Sequence, residues 1–235
     1  MKMWKNSLLM LAIAFLAFAC AQAPESDEAK TTDAQEVDEK ATEGAADFAV
    51  DTKASQVSWV GTKPVGRHNG TFAIKEGAVK VEGDQIVGGS FIIDINTLTV
   101  LDIPADDEGN GKLKGHLLSG DFFEAEKFPT AKFEITKVEA YKAPEGGEKE
   151  VSKEESEFKL ADPTHTVSGN LELKGVSKNI TFPAKISIAE GKLSAEAKFN
   201  INRKDWQMSY GADESLGDKF IRPTVHIGFN IVANK

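Results

Sequence analysis

The chain has 235 residues, 40% hydrophobic and 28% charged, with 37 acidic against 28 basic side chains and a single cysteine. That length suits one large domain or two small ones. A formal charge of -9 excludes the basic face that nucleic-acid partners need, and one cysteine can form neither an intrachain disulfide nor a thiolate zinc cage.

Lys2 and Lys5 open the chain, and Leu8 to Ala19 is then uncharged and almost wholly apolar. Such a stretch rises about 18 Å as a helix, short of the roughly 30 Å hydrocarbon core, so it reads as a signal peptide over 1–19 and not as a span. It ends Leu16-Ala17-Phe18-Ala19-Cys20, with the lone cysteine at the point of cleavage. This resembles a bacterial lipobox, which implies diacylation of Cys20 and anchoring in the cell envelope, at the outer membrane, on its periplasmic or surface face. The alternative is ordinary cleavage after Ala17-Phe18-Ala19, with Cys20 incidental.

Residues 21–47 carry nine acids and two lysines, and Val37 is their one large apolar side chain. Composition of this kind predicts a disordered acidic linker over 20–47, with the folded domain at 48–235.

From residue 48 the pattern alternates with period two, the signature of half-buried antiparallel strands. The predicted strands are 48–51, 56–62, 70–75, 78–82, 85–95, 130–142, 165–174, 179–188, 192–202 and 220–233, and one helix is predicted over 112–127. Residues 143–160 hold six Glu and three Lys and read as an exposed hairpin extension. A sheet with one apolar face must close on itself or pair with another, so the fold class is all-β: an antiparallel up-and-down barrel of about eight strands. Strand edges flanking 143–160 could pair in a homodimer.

The inward set is Trp59, Phe72, Ile74, Phe91, Ile93, Phe133, Leu171, Phe182, Phe199 and Phe229. It suits either a packed core or an elongated apolar tunnel. Small inward residues (Gly169, Ala184, Ala195, Ala197) leave volume that something must fill. No Gly-x-Ser-x-Gly elbow or His-Glu-x-x-His motif occurs. Ser156-x-x-Lys159 matches a nucleophile pattern but lies in the charged extension. The four histidines lack ligand spacing, and Asp106-Asp107-Glu108 is at most a weak calcium site. An enzyme, a metal centre and a rigid interaction platform with a filled barrel are the competing readings.

The landmarks Trp59-Val60-Gly61, His68-x-Gly70, Gly88-Gly89-Ser90-Phe91-x-Ile93-Asp94-Ile95, His116-Leu117-Leu118-Ser119-Gly120-Asp121-Phe122-Phe123, Phe128-Pro129-Thr130-Ala131-x-Phe133, Val167-Ser168-Gly169-Asn170-Leu171 and Phe199-x-Ile201-x-Arg203-x-Asp205 occur in this order. Together they resemble the YceI-like family, lipocalin-like polyisoprenoid-binding proteins of bacterial envelopes. Where that family usually follows Arg-x-Asp with Phe-Gly, Trp206-Gln207 stands here. The resemblance implies a non-enzymatic barrel that takes a long isoprenoid, quinone or similar amphiphile inside, with no other cofactor. It would act as an envelope lipid carrier or sequestering protein. The apolar set would hold the tail, and His68, Arg203 and Asp205 are the head-group candidates. Asp205 is read more readily as a carboxylate partner for Arg203. Arg67, Lys112 and Lys114 could supply charge for a phosphate head group, while a quinone or neutral lipid stays open. His116 reads as a helix-packing residue.

Overall fold

The alternating segments form strands that close into a ring. The computed structural model describes residues 23–38, 42–143 and 157–235. Its elements are β1 Lys30–Asp33, β2 Ala46–Val50, β3 Gln56–Thr62, β4 Arg67–Glu82, β5 Gln85–Val100, α1 Glu108–Leu118, β6 Thr130–Ala140, β7 His165–Leu173, β8 Val176–Ala189, β9 Lys192–Asn202 and β10 Thr224–Asn234. Strands β3 to β10 pair antiparallel with their neighbours in sequence, and β10 returns to β3 with Ile227 opposite Trp59. The result is a closed eight-stranded barrel, the arrangement that removes strand edges altogether. Strand β2 continues the line of β3 beyond a turn at 51–55, pairing Ala46–Ala49 with Ala78–Val81 of β4.

Strand β4 is one element where two were expected. Register shifts at Thr71/Ala73 and Ile74/Glu76 bend it without ending it, as β-bulges do. Helix α1 begins and ends earlier than the predicted 112–127. Asp107 accepts a hydrogen bond from Gly109 N at 2.7 Å and caps the first turn, and Ser119 Oγ donates to the His116 carbonyl to close the last. The glycines at 109 and 111 masked that start.

Four connections gather at one end of the barrel, here the mouth end: the β3–β4 turn, the β5–α1–β6 segment, the β7–β8 turn and residues 203–223. Two short 3-10 stretches, Arg203–Trp206 and Glu214–Lys219, lie in the last of these. The opposite half is filled by aromatic rings. Phe182 stacks on Phe199 with centroids 4.1 Å apart, and Phe229 touches Phe91, Phe133, Phe182 and Phe199 within 6 Å.

The acidic segment corrects the expectation of a disordered linker. Strands β8 and β9 pair from Ala184 and Ala197 down to their turn, and above that point they part. Residues 28–33 occupy the gap: Lys30–Asp33 pair antiparallel with Lys178–Thr181, and Glu28 bridges Asn200 in parallel. Beyond β1 the segment crosses the barrel wall, where Gln35 N donates to Asn170 Oδ1 at 3.0 Å and Asn170 Nδ2 returns a bond to the Gln35 carbonyl at 2.7 Å. Backbone pairing and asparagine side chains hold this strap, so it needs no large apolar residue. Lys178 bonds Asp33 at 2.8 Å, a contact that holds the Asp33 carboxyl below its usual range.

The signal peptide 1–19, Cys20, and residues 144–156 of the acidic extension, Ser156 among them, lie outside the described residues. Of the strands flanking that extension, β7 is paired on both sides as far as His165, whereas β6 pairs with β5 only over Thr130–Glu134, and its end beside the extension, Ile135–Ala140, pairs with β7 alone.

Candidate functional site: an apolar cavity at the mouth of the barrel

A cavity of ≈ 370 Å³ occupies the mouth half of the barrel. Its walls come from inward positions on β3 (Val57, Trp59, Gly61), β5 (Ile93, Ile95, Leu98) and β7 (Leu171, Leu173), with Ile201 and Phe229 closing the ring. Leu113 and Leu117 of α1 and Phe122 and Phe123 beyond it form a roof. Strand alternation explains the apolar walls, since every second residue must face inward.

Ten inward residues were expected from the sequence, and all ten are buried. Trp59, Phe72, Ile93, Leu171 and Phe229 line the mouth cavity, whereas Phe91, Phe133 and Phe182 belong with Phe229 to a second space of only ≈ 50 Å³. Ile74 and Phe199 line neither of the two spaces. The aromatic half is therefore a floor, and the cavity ends on it. Gly169, expected to leave volume, leaves none: a Cβ there would stand 2.3 Å from Phe133 Cζ, because the ring already fills the site.

The polar candidates separate into different roles. His68 lines the cavity and its Nδ1 lies 2.7 Å from Asp102 Oδ2. Partial burial opposes ionisation of Asp102, but the Asn69 amide and His68 outweigh it and hold the carboxyl below its usual range. Arg203 is 3% exposed and also lines the cavity. Four of its N–H groups donate to backbone carbonyls: Nε to Arg222 at 3.3 Å, Nη2 to Tyr210 and Ile221 at 2.8 Å each, and Nη1 to Met208. Phe122 covers its guanidinium at 5.5 Å. Burial lowers its pKa. The expected Asp205 carboxylate is not among these partners; Asp205 acts electrostatically on Lys178 instead. Arg203 thus folds the 203–223 loop over the mouth, and its remaining donor capacity is small.

Of the cations considered from the sequence, Lys112 pairs with Glu108 at 2.7 Å and Arg67 with Glu157 at 3.7 Å, and neither they nor Lys114 line the cavity. Lys63, Lys219 and Arg222 do, together with Asp218. They sit in turns without periodicity, so no sequence pattern distinguished them. His116 packs as expected, edge-on to Tyr210 at 4.9 Å and Phe122 at 5.2 Å, and it bonds Asp121 at 2.9 Å. It also reaches the cavity wall. Trp59 Nε1 and Thr62 Oγ1, on two lining residues, have no hydrogen-bond partner among the described residues. Asp107 of the acidic triplet is spent on the α1 cap.

A closed antiparallel barrel with an apolar interior open at one end is a lipocalin-like architecture. The chain belongs to the YceI-like domain family, whose match covers residues 48–233. Solved structures share the fold, two of them with a TM-score of 0.54. One is BcnA of Burkholderia cenocepacia, 22% identical with a TM-score of 0.54 over 79% of this chain and 99% of that one. The other is a polyisoprenoid binding domain from Saccharophagus degradans implicated in plant cell wall breakdown, 16% identical with a TM-score of 0.54 over 80% and 97%. None of the curated proteins compared with it matches.

Proposed function

We propose that the protein binds the tail of an isoprenoid-type or related amphiphilic lipid in the mouth cavity, with the head group among Lys63, His68, Lys219 and Arg222. The observation that carries this reading is the apolar cavity itself, whose walls are strand side chains and whose charged lining residues lie in or beside the mouth-end connections. Its volume lies near the lower end of the range for small-molecule sites, roughly 300–1,000 Å³. Each methylene buried there contributes about 0.8 kcal/mol, so a tail binds without polar contacts and the rim selects the head group. The polyisoprenoid binding domain that shares the fold supports the ligand class. The protein acts as a carrier or sequestering protein of the cell envelope, exported by its signal segment and tethered through Cys20.

Ala131 is buried on the cavity wall and provides the test. Ala131→Leu adds apolar volume inside the cavity while β6 and its pairing stay as they are. Isoprenyl alcohols, isoprenyl diphosphates and short-chain quinones are titrated against both chains by thermal shift. The parent chain gains stability with at least one of these classes, as binding to the folded state requires, and the variant gains at least tenfold less apparent affinity. Equal responses of the two chains would place the ligand outside the cavity and refute the proposal.

A further inference from the structure

We infer that the mouth end of the barrel docks onto a lipid bilayer, so that the cavity opens toward the membrane. This rests on the reading of the cavity as a lipid site, and it names the surface from which that lipid enters. The large apolar side chains left exposed among the described residues are Val65 at 75%, Leu101 at 61%, Tyr210 at 47% and Leu216 at 45%. They come from three separate connections, and all three are at the mouth end. Val65 is the tip of the β3–β4 turn, Leu101 follows β5, and Tyr210 and Leu216 lie in the 203–223 segment. Tyr210 itself lines the cavity, the lining residue Lys63 is two residues from Val65, and Asp218 and Lys219 are two and three from Leu216. Exposed apolar groups scattered singly need no explanation, but their confinement to the connections of one end does.

Charge supports a bilayer as the occupant. Lys63, Lys219 and Arg222 outnumber Asp218 at the rim, in a chain of net charge -9. Two mouth-end carboxylates face histidines, Asp102 with His68 and Asp121 with His116. Apolar tips flanked by cations are the composition that enters an interface between head groups and acyl chains. The anchoring of the strap agrees. Asn200 Nδ2 holds the Pro24 carbonyl at 3.0 Å, two positions before β9 reaches the mouth end at Asn202. At most about 14 Å of backbone separates Pro24 from Cys20, so a tether at Cys20 would tie this part of the wall to the membrane. The strap has replaced the long stalk that would have let the barrel turn freely.

The test uses the full chain with Cys20→Ala, which leaves one introduced thiol for an environment-sensitive fluorophore. Labels are placed at Val65→Cys and Leu216→Cys at the mouth, and at Asp84→Cys and Glu190→Cys in turns of the opposite end. Vesicles of phosphatidylethanolamine and phosphatidylglycerol are added, with and without a lipid-borne quencher. The inference predicts a blue shift and at least twofold stronger quenching at 65 and 216 than at 84 and 190. Equal quenching at the two ends, or none at either, would overturn it. Solvent extraction of the same protein reads the cavity separately: a chain that docks by its mouth but releases no lipid and takes up no added isoprenoid or quinone would refute the proposed function and leave this inference standing.

Discussion

Nδ1 of His226 on β10 donates to Oδ1 of Asn200 on β9 at 3.1 Å, and the same asparagine carries the N-terminal strap on its other atom. Asn200 Nδ2 reaches the Pro24 carbonyl at 3.0 Å and Glu28 Oε1 at 3.1 Å, and Phe158 stands edge-on to His226 at 5.2 Å. Two strands on the outer face of the barrel are thus joined to a segment far away in sequence.

This arrangement predicts an acid-sensitive stability. His226 is 4% exposed, and burial first, then Lys198, pushes its pKa down to about 4. The unfolded chain binds that proton near pH 6.5 and the folded one does not. The contribution is therefore whole above about pH 6.5 and is lost as pH falls toward about 4, at most roughly 3 kcal/mol. Urea unfolding at pH 7, 5.5 and 4 measures it, and His226→Gln flattens the slope over that window. An unchanged slope would assign the acid sensitivity to other groups.

Asn200→Ala cuts the bonds to Pro24, Glu28 and His226 together. Leaving buried partners unsatisfied costs roughly 1–3 kcal/mol. Amide exchange of residues 27–33 rises well before that of β3 or β10, because β1 is a four-residue strand paired on one side while β3 and β10 are paired on both. Uniform acceleration through the barrel would instead make the strap part of the global unfolding unit.

Gln207 has φ +60° at the end of the first 3-10 stretch, a left-handed conformation that glycine adopts without a Cβ penalty. Gln207→Gly is expected to raise stability by roughly 0.5–1 kcal/mol, since relief of the strained backbone exceeds the added chain entropy. Trp206 beside it is fully buried and donates Nε1 to the Leu171 carbonyl at 2.9 Å, so Trp206→Phe is expected to cost about 1–3 kcal/mol. Thermal denaturation of the two variants gives shifts of opposite sign.

The aromatic floor sets how long a tail fits. Phe229 borders both the mouth cavity and the small space beyond it. Phe229→Ala joins the two and costs about 3–5 kcal/mol of stability. The lipids extracted from the variant shift toward longer chains, read by mass spectrometry against the parent. Gly169→Ala works the other way: it presses on Phe133 and costs about 1–3 kcal/mol without lengthening the cavity.

The strands were legible because a half-buried antiparallel strand must alternate, and Ile180 to Ile188 and Leu193 to Ile201 do so without interruption. The strap was not legible. Its acids mimic a disordered linker, while Asn170 and Asn200, which hold it, look like ordinary outward strand residues. Arg203 was found, but its role was not, since four backbone carbonyls do what a carboxylate was expected to do. The depth of the cavity was likewise hidden, because Gly169 reads as empty space until Phe133 is seen to occupy it.

The most direct measurement is native mass spectrometry of the full chain, purified without added lipid, before and after organic extraction. A one-to-one adduct that extraction removes, absent from Ala131→Leu, is the predicted result. A bare mass in both chains, unchanged when isoprenoids and quinones are supplied, would contradict the lipid-binding account.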